Sequence, residues 1–185
     1  DNRLEAAKLA KGRKVLDVFC YGGGFSLHAL KHGAIETVGI DQSASALHLA
    51  ADNAKRNNLG PSRWILGSAF ETLAELVKTG EKFGVVVLDP PKFARSRSAI
   101  DEAIKGYRRL NSLGLKLLEP GGFLVSCCCS GLITMDMMEQ ILALVGADEK
   151  RDIQVLQRRG PSPDHPVAAT CLESHYLKCL ITRVM

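Results

Sequence analysis

The chain has 185 residues, 24 Lys and Arg against 20 Asp and Glu, and 46% apolar residues. This is the length of one domain, and the composition excludes a disordered or fibrous chain. No apolar run approaches the ~18–20 residues of a membrane span, and no signal-peptide pattern opens the chain.

The +4 excess is concentrated between Lys92 and Arg109, where six basic residues stand against two acidic ones, leaving 18 against 18 elsewhere. Such a segment on a neutral body points to a polyanionic partner, or more plainly to a solvated helix face. Six cysteines form no Cys-x-x-Cys pair and no Cys/His spacing typical of zinc. We therefore expect free thiols, no metal, and a reducing, cytoplasmic setting. The first residue is Asp rather than Met, directly against a helix-like stretch. A domain cut from a longer protein is expected, and an edge exposed by truncation would favour a homodimer.

In chain order, residues 14–19 read as a strand, followed by a glycine turn at 21–24 and a helix to about 33. Residues 36–41 form a second strand. Ser43 then caps a helix to about 58 that carries Ala46, Leu47, Ala50 and Ala54 on one face. A third strand at 63–66 precedes a helix at 69–78. Residues 83–89 are almost continuously apolar, as a strand buried on both faces should be, and Pro90-Pro91 stops them. A helix from about 98 to 118 ends at Pro120-Gly121-Gly122, and a fifth strand at 123–127 precedes a helix at 134–145. The tail holds β runs at 153–157 and 176–184 around a Gly/Pro-rich loop, which predicts an antiparallel hairpin at the sheet edge.

Five β–α alternations predict a single α/β domain over residues 1–185, built on a doubly wound, mostly parallel sheet. Ligands bind such sheets beyond the carboxyl ends of the strands. Those ends are residues 19–24, Asp41, residues 68–70, residues 89–93 and residues 127–130.

Three clusters there could carry chemistry. The run Asp17-Val-Phe-Cys-Tyr-Gly-Gly-Gly-Phe-Ser26, with Asp41 closing the second strand, suits a nucleoside ligand. Glycines allow close backbone approach, and the acid accepts ribose hydroxyls. Leu27 stands where a dinucleotide fingerprint needs Gly or Ala. In Asp89-Pro-Pro-Lys-Phe93 the carboxylate could bond a base edge, Lys92 a phosphate and Phe93 a base face. The plain alternative is a proline-capped helix start with a core Phe. In Ser126-Cys-Cys-Cys-Ser-Gly131 the alternation of a strand sets Cys127 and Cys129 opposite to Cys128. A thiolate at the cleft would be a nucleophile, whereas a buried one is a small hydrophobe.

Together these clusters resemble a class I, Rossmann-like S-adenosylmethionine-dependent methyltransferase. More narrowly, the chain is similar to the RlmI-like ribosomal RNA large-subunit cytosine-5 methyltransferases. Asp1-Asn-Arg3 resembles the end of that family's lead-in, and Asp164-His-Pro166, Tyr176-Leu-Lys178 and Arg183-Val-Met185 resemble its tail. Family members also carry an N-terminal PUA RNA-binding domain, for which this sequence has no counterpart.

The resemblance implies that Phe19, Tyr21, Gly22 and Gly24 line the methionine end of S-adenosylmethionine and that Asp41 holds its ribose. Ser43, beside Asp41, is counted among the cofactor-binding residues, and so is Asp89. Ser68, Ala69 and Phe70 stand where the family has Asp-x-Phe for the adenine. It further implies Cys129 as nucleophile and Asp89 as the group on the cytosine edge, with RNA held by Lys92, Phe93, Arg95, Arg97 and Arg108. The related uracil-5 enzymes would instead place the nucleophile at Cys127. Asp89, His165 or water would take the carbon 5 proton. Other readings are a uracil-5 or exocyclic-amine enzyme, a non-catalytic RNA-binding domain, and an NAD-dependent oxidoreductase, which Leu27 disfavours.

Overall fold

The computed structural model describes residues 1–185 apart from Arg95, Asp164 and the side chain of Leu172. The RNA contact expected of Arg95 therefore lies outside the described residues.

The elements are α1 (Asn2–Lys8), β1 (Lys14–Val18), α2 (Gly24–Lys31), β2 (Glu36–Asp41), α3 (Ala44–Arg56), β3 (Ser62–Leu66), α4 (Ala69–Thr79), β4 (Phe83–Leu88), α5 (Ile100–Leu117), β5 (Leu118–Cys128), α6 (Met135–Glu149), β6 (Ile153–Arg159) and β7 (Lys178–Val184). Local chemistry sets several boundaries. The hydroxyls of Ser43 and Thr134 accept the amides of Ala46 and Met137, capping α3 and α6. Gly80 ends α4 in the left-handed region at φ 74°. Helix α5 buries Ala103, Tyr107, Leu110, Gly114 and Leu117, the stripe a helix presents to a core.

The sheet order is β3-β2-β1-β4-β5-β7-β6. Strands β1 to β5 pair in parallel, while β7 runs antiparallel to both β5 and β6. The expected terminal hairpin is present, with β7 inside and β6 at the edge. Every residue of β4 is buried. Its Val86 and Leu88 join a core with α4, α5 and α6, and its Val85 and Val87 join a second core with α1 and α2.

One expectation is corrected. Pro120-Gly121-Gly122 does not simply end a helix ahead of a strand at 123; β5 already begins at Leu118. Phe83 pairs with Leu118 and Val85 with Phe123, so the intervening residues bulge out of register. Pro120 has no amide to donate, and Gly121 sits at φ 75°. Among the described residues no helix is long and apolar enough to cross a membrane.

The only Trp in the chain positions the site. A Cβ built on Gly39 of β2 would lie 2.4 Å from the Trp64 ring, and one on Gly23 would lie 2.9 Å from it. The indole therefore lies against both the strand and the glycine turn. We expect Gly39→Ala to cost about 1–3 kcal/mol through overpacking, measured as a lower urea midpoint with an unchanged slope.

Candidate active site

Strands β1 and β4 stay paired to their ends, where the Asp89 amide donates to the Val18 carbonyl at 3.3 Å. The strand order reverses between them, so a crevice opens above their carboxyl ends. Phe19 and Tyr21 turn the chain at φ 64° and 48°, and Gly23, at φ 79°, caps α2. A Cβ on Gly24 would lie 2.7 Å from Arg3 Nε, so this loop passes tight against α1.

Asp41 holds the turn in place. Its Oδ2 accepts the Tyr21 amide and its Oδ1 the Ser43 amide, each at 2.9 Å. A carboxylate has about four acceptor positions, so about two are left for a ligand's hydroxyls. A cavity of about 450 Å³ is lined by Phe19, Tyr21, Gly22, Gly24 and Asp89, together with Arg3 and Asn53. Asp41, Ser43, Ser68, Ala69 and Phe70 do not line it; they stand at the neighbouring strand ends. Ser68 N-caps α4 without using its hydroxyl for the cap. The Ala69 side chain is buried, which leaves its backbone as the part able to meet a ligand.

Of two residues that sequence reasoning left unassigned, Arg3 lines this crevice and Asp17 is buried within electrostatic reach of Arg3 and Asp89. Asp17 is fully buried on β1, and its Oδ2 accepts the amide and hydroxyl of Ser26 at 2.9 and 2.8 Å. Its Oδ1 has no hydrogen-bond partner among the described residues. Burial pushes the carboxyl up to about 6, against the two Ser26 bonds. Burial likewise raises Asp89, while the Arg3 guanidinium opposes the rise. The lead-in motif was the one available signal for Arg3.

The cysteine run splits three ways. Cys127 is 2% exposed, and its hydrogen bond with Cys179 and its burial hold the thiol well above the ordinary range. Cys128 packs on the opposite face beside Tyr107. Cys129 is the first residue beyond β5, half-buried, and its Sγ donates to the Pro90 carbonyl at 3.6 Å. Burial raises its thiol, as do Cys128 and Asp89, and Lys92 opposes them. A smaller cavity of about 160 Å³ brings Asp89, Arg3, Cys127 and His165 together.

The basic segment divides as well. Lys92 and Arg97 are exposed near the β4 exit. Arg108, expected on RNA, instead pairs with Asp148 of α6 through Nε at 3.0 Å and Nη2 at 2.6 Å. It lies eight residues into α5, roughly 12 Å along the helix from its first residue. Arg109 lies over the Phe70 ring at 4.9 Å. Phe93, expected to stack on a base, has its ring 4.7 Å from Tyr107 and packed onto Gly106. It belongs to the α5 packing because the two prolines turn the chain back over that helix.

Asp17 gives a pH signature. Its folded value of about 6 exceeds the unfolded ~3.9, so the native state binds this proton more tightly and loses stability as pH rises from about 4 to 6. Asp17→Asn should be the more stable protein at pH 8, by up to about 3 kcal/mol, and should match the parent below pH 4. Melting temperatures across that range check it; equal stabilities at pH 8 would contradict it.

A family model described as S-adenosylmethionine-dependent methyltransferase matches residues 2–180. Ribosomal RNA large subunit methyltransferase I of Aeromonas hydrophila is 43% identical over 99% of this chain, and that of Tolumonas auensis 42% over all of it. The chain spans 47% of each of those proteins. The crystal structure of SMU.776 complexed with SAH superposes with a TM-score of 0.85 at 22% identity, over 98% of this chain and 48% of that one. The glycine turn, Asp41 and the crevice above β1 and β4 thus sit in a chain that belongs to the S-adenosylmethionine-dependent methyltransferase family.

Proposed function

We propose that this chain is the catalytic part of an RNA methyltransferase that modifies carbon 5 of a cytosine in large-subunit ribosomal RNA through a cysteine adduct. The RNA class follows the names of the curated relatives, which share about 40% of its residues. The adduct rests on one observation: a half-buried thiol at the end of β5, bonded to the Pro90 carbonyl and thus beside Asp89.

The residues present fit the cofactor. The two open acceptor positions of Asp41 suit a ribose diol. Within the cavity, an oxygen of Asp89 can accept from an ammonium, and Arg3 suits a carboxylate. The Ser68 hydroxyl can accept from the adenine amino group. When bound, S-adenosylmethionine supplies a methyl group on a sulfonium centre.

The protein's part is to make carbon 5 nucleophilic. The Cys129 thiolate adds to carbon 6 and forms a carbon–sulfur bond, which shifts the ring's electron pair toward carbon 5. Asp89, its carboxyl raised by burial, donates a hydrogen bond or a proton at the ring nitrogen and so stabilises the charge that develops there. Once methylated, carbon 5 must lose its proton to Asp89, His165 or water, and the carbon–sulfur bond then breaks. Cys127 is the poorer nucleophile, being enclosed and bonded to Cys179. Exposed Lys92 and Arg97 would contact phosphates.

The test mixes the protein and S-adenosylmethionine with ribosomal RNA containing 5-fluorocytidine, whose fluorine cannot leave as a proton does. A cofactor-dependent covalent band on a denaturing gel is expected, abolished by Cys129→Ala and kept by Cys127→Ala. Retention of the band in Cys129→Ala would move the nucleophile. Cofactor binding without any band would overturn the adduct.

A further inference from the structure

Lys178 is the buried cation for which the mechanism above has no use. It is 5% exposed, on β7 opposite Cys128 of β5. Its Nζ donates to the Ser130 carbonyl at 2.5 Å and to the Tyr176 carbonyl at 2.9 Å. An ammonium has three donors, so one is left over among the described residues. Both partners are neutral, and no described carboxylate acts on it; the groups that do are Cys128, Cys129 and Lys92. A buried charge without a counter-ion is unfavourable, and in folded proteins such charges are paired or answer to a ligand.

The segment it grips carries the nucleophile. Cys129 Sγ bonds the Pro90 carbonyl, Ser130 Oγ donates to the Ala94 carbonyl at 3.0 Å, and Lys178 bonds the Ser130 carbonyl. The turn after β5 is thereby stitched to the exit of β4 on one side and to β7 on the other. We infer that Lys178 is a positioning residue for Cys129: its buried ammonium holds the turn that carries the thiol and supplies the charge that favours the thiolate. This rests on the reading of Cys129 as nucleophile.

The groups around the thiol make such a charge necessary. Asp89 at the β4 exit and Cys128 on β5 act against ionisation, as does burial itself. Lys92 is the opposing cation in the loop, but it is exposed and its field is screened by salt. Lys178 is buried, so its field is screened far less. On ionisation the thiol proton passes to solvent, and the negative charge on sulfur comes to lie near an ammonium that already has a donor to spare.

The test reads the thiol and needs neither RNA nor turnover. Iodoacetamide labelling of Cys129, localised by tandem mass spectrometry, is followed against pH in the parent and in Lys178→Met, Lys178→Gln and Lys178→Arg. SAH affinity, read from Trp64 fluorescence, confirms that each variant is folded. We expect the Met and Gln variants to raise the midpoint by about one unit and to slow labelling at pH 7.5 roughly tenfold, with Arg restoring it. Gln keeps a donor and lacks the charge. Restoration by Gln, or a profile unmoved in all three, would overturn the inference by reducing Lys178 to a structural clamp. Should Met and Gln fail to fold, the Arg variant still decides: a folded Arg variant with a midpoint raised by one unit would also refute it. A failed 5-fluorocytidine trap with these shifts intact would instead remove the role of Cys129 as nucleophile and leave its electrostatics standing.

Discussion

The site depends on the parallel pairing of β1 with β4. A right-handed crossover from β1 places β2 and β3 on one side, and the crossover from β4 places β5 on the other. The two strand exits are therefore forced apart directly above a pair still hydrogen-bonded at Val18 and Asp89. The glycine turn, the Asp-Pro-Pro exit and the cysteine run all emerge around that opening. Every residue of β4 is buried, so a change that loosens it would disturb both cores and the site together.

The fold also buries or half-buries charges around this opening without giving them close counter-ions among the described residues. Among the described residues, Asp17 keeps one oxygen without a partner, Asp89 faces Arg3 without a close ion pair, and Lys178 hydrogen-bonds only to carbonyls. A chain selected for stability alone would replace such groups with apolar ones. Under the proposed function, the counter-charges for Asp89 and Arg3 arrive with the cofactor's amino-acid end, and that for Lys178 arises on Cys129 itself. Ligand binding then stabilises the fold by relieving these groups, the usual linkage between binding and stability.

How much of this was legible in the sequence depended on whether the signal was local. The strands at β1 and β4 show as apolar β-branched runs, Ser43 as a cap, and Asp41 as an acid at a strand end. Asp17 looks like one polar residue in a strand; its meaning appears only when Ser26 on α2 is folded over it. Arg3 and Lys178 reach the site from the two ends of the chain, so no spacing could announce them. The basic segment misled for the opposite reason, since nearness in sequence suggested nearness to the cleft. One residue in a helix turns a side chain by about 100°. That turn separates Arg108, paired with Asp148 on α6, from Arg109, which lies over Phe70 at the end of β3.

The three consecutive cysteines show how the fold selects among identical groups. Alternation along β5 sends Cys127 into one core and Cys128 into the other, each as a small buried side chain. Ending the strand at Cys128 releases Cys129 from both cores, and the Pro90, Ala94 and Lys178 contacts then fix its turn from either side. Moving the strand end by one residue would commit Cys129 to a core face and leave Ser130 at the opening, a group that ionises far less readily than a thiol. Under the proposed function, the reactive position is decided by where backbone pairing stops, and the register of β5 against β7, Cys128 opposite Lys178, sets that point and brings the cation to it.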